Sequence, residues 1–191
     1  MKQIRLADVA AGSIGLAAAA ASLWTVSGAG GFLGAGLALL MLAIALVDYR
    51  HFIIPNELTA AALALAIVNA AVADTPSMAA SVSAAALRGA VTMAFFFGLR
   101  WLYGRLRRRE GLGLGDVKLA FVAGAWLDWA MIPVAIEIAA LGALSAYGLW
   151  HVFGRRPVDT TSRLPFGLFF APAIWLSWLL GEIIFDATKW V

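Results

Sequence analysis

The sequence predicts an all-α fold, a polytopic bundle of transmembrane helices, and three observations carry that expectation. Hydrophobic residues make up 63% of the 191-residue chain, charged residues only 13%, and the mean hydropathy is +0.89, far outside the usage of soluble domains. Apolar stretches of about 20 residues recur, the length that crosses roughly 30 Å of hydrocarbon, whereas a barrel would show short alternating segments. Lysine and arginine are also sorted by side, as the positive-inside rule requires of spanning helices.

Hydropathy places seven spans, at 8–26, 32–49, 56–73, 82–103, 114–130, 132–152 and 165–185. Span one follows the basic start Met1-Lys2-Gln3-Ile4-Arg5, with Asp8 at its head. A secretory signal can begin this way, but the pattern runs straight on into further spans, so an uncleaved first helix is expected. Gly28-Ala29-Gly30-Gly31 breaks spans one and two, and Asp48 closes the run "LALLMLAIALVDYR" of span two. Pro55 suits the start of span three, where Asn56 either caps the helix or hydrogen-bonds beside Asp48, capping being the preferred reading. Asp74-Thr75-Pro76-Ser77 separates spans three and four, and the basic run from Arg105 to Arg109 follows span four. Asp116 opens span five. The join of spans five and six near Asp128-Trp129 is weakly marked, so six or eight crossings also fit. Gly154-Arg155-Arg156-Pro157 opens the longest polar loop, and Pro165-Phe166-Gly167 shapes the start of span seven. Residues 1–191 read as one integral-membrane domain.

Twelve of the fourteen lysines and arginines fall on one side of this topology, with only Arg88 and Lys189 on the other. That places the N-terminus inside and the C-terminus outside. Trp24, Trp129 and Trp190 fit an aromatic belt, and lipid-facing bulk explains them nearly as well. Arg105, Arg107, Arg108 and Arg109 are expected to anchor their loop to anionic lipid, and no nucleic-acid partner is implied. With no cysteine and only His51 and His151, neither a disulfide framework nor a thiolate zinc site can form, and no metal or cofactor is expected. Nothing in the sequence sets an oligomeric state.

Of the acidic residues, Asp8, Asp74, Glu110, Asp159 and Asp186 read as solvated charges, and Asp128 as an outer-interface one. Glu137 and Glu182 lie within or near spans and should face protein or water. Asp48 and Asp116 differ, because the topology puts both at the same membrane face and level in depth. Two interfacial charges paired with Arg50 or Lys118 would account for them. The alternative is chemical: two carboxyls sharing a partly dehydrated site hold one proton between them. The ionised member activates water while its protonated partner hydrogen-bonds a scissile carbonyl. The alternating Gly111, Gly113 and Gly115 suggest a backbone in conformations closed to other residues, open to close approach by a peptide. As a phosphate loop the stretch fails, since it does not read G-x-G-x-x-G and no G-K-[ST] follows.

The segments "DYRHFIIPNELT", "GLGLGDVKLA" and "LPFGLFFAPA", in that order, resemble the type IV prepilin leader peptidase family, membrane aspartic proteases of the GxGD type. Asp48 precedes Ile54-Pro55-Asn56, Gly113-Leu114-Gly115-Asp116-Val117-Lys118-Leu119 matches the G-x-G-D-x-K-L element throughout, and Leu164-Pro165-Phe166-Gly167 supplies the third. The resemblance implies that Asp48 and Asp116 are the catalytic pair. It further implies prepilin or pseudopilin substrates cut after a glycine at the cytoplasmic face of a bacterial inner membrane. Larger members carry an insertion with two Cys-x-x-Cys pairs and methylate the new N-terminus, so this cysteine-free chain resembles a short, peptidase-only form. Such forms often serve tight-adherence pili or related secretion systems. Lys118 has several readings: holding a carboxylate ionised, contacting lipid phosphate, meeting an acidic substrate residue, or snorkelling to the interface. Two rivals remain, a presenilin-like or signal-peptide-peptidase-like intramembrane protease and a small proton-coupled transporter. The first expects its Tyr-Asp pair mid-span and the second expects repeated halves, neither of which this sequence displays.

Overall fold

The computed structural model describes residues 2–73, 77–107, 111–153 and 165–188. Among these residues the chain is all helix: α1 Lys2–Thr25, α2 Ala29–His51, α3 Asn56–Val72, α4 Met78–Arg107, α5 Leu114–Trp126, α6 Met131–Phe153 and α7 Phe166–Thr188. The elements follow the expected seven spans in order. The expected loop opening at Gly154 and the turn residues Asp74, Thr75 and Pro76 lie outside the described residues.

Four helices are long and apolar enough to cross a membrane, in the stretches Ala29–His51, Met78–Arg107, Met131–Trp150 and Phe166–Ile184. Val9–Thr25 and Asn56–Val72 are apolar but shorter. The turn between α1 and α2 takes three residues, Val26, Ser27 and Gly28, with Gly28 at φ 72°, so it lies earlier than the break expected and Ala29, Gly30 and Gly31 are already helical.

The largest difference from the sequence reading concerns span five. Its helix stops at Trp126, and Leu127 leaves it with extended backbone, so residues 127–130 connect it to α6 without helix. Thirteen residues rise only about 20 Å, short of the roughly 30 Å of hydrocarbon. This short helix is also the most enclosed. Val117, Leu119, Ala120, Val122, Ala123, Ala125 and Trp126 are all buried, with α3, α4 and α7 packed around it. Contact with α4 is backbone to backbone, since a Cβ on Gly89 would lie 2.9 Å from the Phe121 carbonyl oxygen, and one on Gly124 would strike the Arg88 carbonyl.

On the other flank α7 packs on α2 and α6. Trp178 lies over Gly34 of α2, and the Trp175 indole N–H donates to Ser22 Oγ of α1 at 3.0 Å. Thus α5 and α7 form the centre, and their N-terminal ends point the same way.

Candidate active site

Asp48 lies in the last turn of α2, and the chain leaves that helix abruptly. Phe52 adopts a left-handed backbone, φ 55°, and its N–H donates to the Asp48 carbonyl oxygen at 2.9 Å. A non-glycine residue in that conformation costs roughly 1–2 kcal/mol, so the turn is held by its surroundings. From there Ile53, Ile54 and Pro55 run without helix to α3, where Pro55 is the N-cap, with ψ 137°. Asn56 is therefore the first helical residue and not the cap that the sequence suggested. Its side chain instead accepts a hydrogen bond from Lys118 Nζ at 2.8 Å.

Asp116 is the third residue of α5. Its Oδ2 accepts the Gly113 N–H at 3.0 Å, one half of a capping box at the helix start. Gly113 has φ −71°, and Gly28 is the positive-φ glycine among the described residues, so Gly113 and Gly115 are not there for unusual backbone angles. The reason is space. A Cβ on Gly115 would sit 2.9 Å from Ile54 Cβ, and one on Gly113 would sit 3.0 Å from Asp116 Oδ2. On Gly111 it would run into the Tyr103 ring.

The third element completes the arrangement. Leu168 N–H, in the first turn of α7, donates to Asp48 Oδ2 at 2.9 Å, and the Gly167 backbone also bonds this carboxylate. A Cβ on Gly167 would fall 2.8 Å from Asp48 Oδ2 and 2.9 Å from Ile54 Cδ1. Ile54 thus wedges between Gly115 and Gly167, holding the starts of α5 and α7 at a fixed separation. Behind it, Phe166 stacks on Phe170 at 5.3 Å and Phe170 on Phe96 of α4 at 5.2 Å, which seats the start of α7. Pro165 stands just before the helix, where its missing N–H costs nothing.

Both carboxylates consequently occupy helix N-termini, Asp116 that of α5 and Asp48 that of α7. Partial positive charge at a helix start favours an anion there. The side chains are nearly enclosed, Asp48 at 5% exposure and Asp116 at 9%, and the charge of Asp48 is felt at Asp116. A carboxylate offers about four acceptor positions, so one or two backbone bonds hold each group without saturating it. Among the described residues no group of His, Cys, Asp and Glu is arranged to hold a metal ion.

Sequence reasoning found both aspartates and the glycines, but not Ile54 as the wedge or Leu168 as the donor. The available signals were the Ile54-Pro55-Asn56 element, in which Ile54 was given no role, and the Pro165-Phe166-Gly167 element, which stops one residue before Leu168. Lys118 is exposed and bonds Asn56, so the readings that seat it on a carboxylate give way to a tie between α5 and α3. Arg100 donates to the Leu112 carbonyl and fixes the glycine-rich loop, while Arg105 lies over the Trp101 ring at 5.4 Å. Arg108 and Arg109 lie outside the described residues.

Comparison with known proteins bears directly on this geometry. Residues 35–149 match the model of the type IV leader peptidase family, a stretch that includes both aspartates, the Ile54-Pro55-Asn56 element and Lys118. The chain is similar to a prepilin leader peptidase/N-methyltransferase of Burkholderia pseudomallei, 33% identical over 168 residues, which is 87% of this chain and 51% of the relative. Its Pseudomonas aeruginosa counterpart is 28% identical over 145 residues, 75% of this chain and 48% of the relative. That of Aeromonas salmonicida is 35% identical over 95 residues, 49% of this chain and 31% of the relative. The chain thus spans about half the length of the first two relatives. No solved structure matches it.

Proposed function

Because the chain belongs to the type IV leader peptidase family, we propose that it is a membrane aspartic endopeptidase that removes the leader from type IV prepilins or pseudopilins. The observation that carries this reading is the pairing of two buried carboxylates, each held by backbone N–H groups at a different helix start.

Burial and mutual repulsion disfavour two charges, so the pair works with one shared proton. The ionised carboxylate takes a proton from water, and the protonated one donates to the carbonyl oxygen of the scissile bond. Attack gives a tetrahedral intermediate. Proton transfer to the nitrogen then releases the amine, with the leader leaving as the carboxylic acid. Backbone donors that are already aimed at the carboxylates need no reorganisation during this sequence. Gly115 and Gly167 let Ile54 pack against the starts of α5 and α7, and Gly167 lets the Asp48 carboxylate reach the backbone donors of α7.

The charge sorting supports a cytoplasmic N-terminus and a site at the cytoplasmic face of a bacterial inner membrane, with lipid around the bundle. Methyl transfer is left out of the proposal, since the chain has no cysteine from which a Cys-x-x-Cys insertion is made. The position of Asp48 in the last turn of α2 favours a cut at the interface over one deep inside a substrate helix.

The test is cleavage of a purified prepilin by the purified chain in detergent, with N-terminal sequencing of the product. A new N-terminus directly after a glycine is expected from the wild type, and none from Asp48→Asn or Asp116→Asn. Undiminished cleavage by either variant would remove the dyad.

A further inference from the structure

We propose that the end of the bundle opposite the two aspartates carries a second binding site, a well for a phosphoethanolamine headgroup. A cavity of about 460 Å³ lies there, where α3, α4, α5 and α7 converge. Its polar lining comes from Asn69, Ser81, Arg88, Asp128 and Glu182, set against the rings of Trp126 and Trp178, which meet edge to face at 6.2 Å. The volume falls within the roughly 300–1,000 Å³ of small-ligand pockets.

The shortness of α5 explains why polar groups collect there. With Asp116 at one membrane surface, a helix of about 20 Å ends some 10 Å short of the other. Its last carbonyls and the non-helical residues 127–130 then lie at the depth of hydrocarbon, where unsatisfied backbone is costly. Arg88, about 15 Å along α4 from its start, donates from Nε to the Gly124 carbonyl at 3.2 Å. An arginine has five N–H groups, and the bond to Gly124 uses the one on Nε. A charged side chain at such depth is expensive unless partnered, and it marks a site by default.

The signs of the lining select the ligand. The Arg88 guanidinium and the exposed Asp128 carboxylate favour a group that carries both charges and disfavour a simple anion. A phosphate diester accepts from Arg88, and an ammonium two carbons away donates to Asp128, with Glu182 as the second carboxylate in the wall. A lipid is the source that fits, because exposed apolar side chains adjoin the polar wall: Leu87 and Val91 on α4, Ile183 and Ile184 on α7. They offer acyl chains a surface on either side of the headgroup. This site does not depend on the peptidase reading.

The experiment places the full chain in nanodiscs of equal phosphatidylethanolamine and phosphatidylglycerol and identifies retained lipid by native mass spectrometry. Retention of phosphatidylethanolamine over phosphatidylglycerol by about tenfold is expected, falling to no preference in Asp128→Asn, whereas Arg88→Gln, which removes the donor to the phosphate both lipids share, should lower the retention of both. Asp128→Lys should reverse the preference toward phosphatidylglycerol, with an unchanged helical circular dichroism as the check that the variant is folded. Equal retention by the wild type, or an unchanged preference in the Asp128 variants, overturns the proposal. Soluble phosphoethanolamine at millimolar concentration is expected to leave the thermal midpoint in detergent unchanged, whereas the lipid raises it. A rise with the soluble compound would assign the well to a free ligand and overturn the lipid.

Discussion

At its N-terminal end α5 gives a backbone donor to a carboxylate, and at its C-terminal end it gives a backbone carbonyl to a guanidinium. Both ends obey one rule, that charge opposite to the local end of the helix dipole satisfies groups the helix leaves open. Their neighbourhoods differ. Asp116 shares its surroundings with Asp48, which is held by the start of α7, so two acidic groups of like charge are placed close together, the arrangement on which the proposed proton sharing rests. Arg88 has carboxylates of opposite sign in its cavity. Like charges meet at one end and opposite charges at the other, which is the basis for proposing chemistry at the first and binding at the second.

The strongest way to break the comparison is to neutralise the anionic end. Asp48→Asn and Asp116→Asn should each lower the rate of prepilin cleavage by roughly 10²- to 10⁴-fold, measured as product formed per minute. The double variant should be no slower than the slower single, because the pair acts as a unit; multiplied losses would mean two independent groups. Next comes displacement without loss of charge. Gly167→Ala pushes a methyl against Asp48 Oδ2, and about 10²-fold slower cleavage is expected with the helical circular dichroism retained. Gly115→Ala presses on Ile54 instead and should cost less.

At the cationic end, Arg88→Met leaves the Gly124 carbonyl without its donor, and reversible unfolding should show a loss of about 1–3 kcal/mol. The smallest effect belongs to the tie between α5 and α3. Lys118→Met and Asn56→Ala should each cost about 0.5–1.5 kcal/mol, and the double variant no more than either. Additive losses would show that the bond contributes nothing.

Much of this was legible in the sequence, and the misses have physical causes. Helix order, and the shared membrane face expected of the two aspartates, follow from hydropathy and charge, which act locally, whereas their role as a pair came from the resemblance carried by the three motifs. Span five was read too long because Ala125, Trp126 and Leu127 continue its apolar run, and hydropathy does not register that the helical bonds have ended. The glycines near Asp116 were assigned to backbone freedom, whereas Ile54, far away in sequence, is what excludes a side chain at Gly115. Asn56 looked like a cap because its partner Lys118 comes 62 residues later. Leu168 contributes through its backbone N–H, which no side-chain pattern reveals.

The bond from Leu168 to Asp48 has a consequence in time. Chains emerge N-terminus first, and segments fold as they are released. Both aspartates are made and inserted well before α7, yet Asp48 lacks its donor until the seventh helix has docked beside the second. Nascent chains therefore carry the two acids without their final alignment, and the chemistry proposed for the pair would have to wait until the bundle closes.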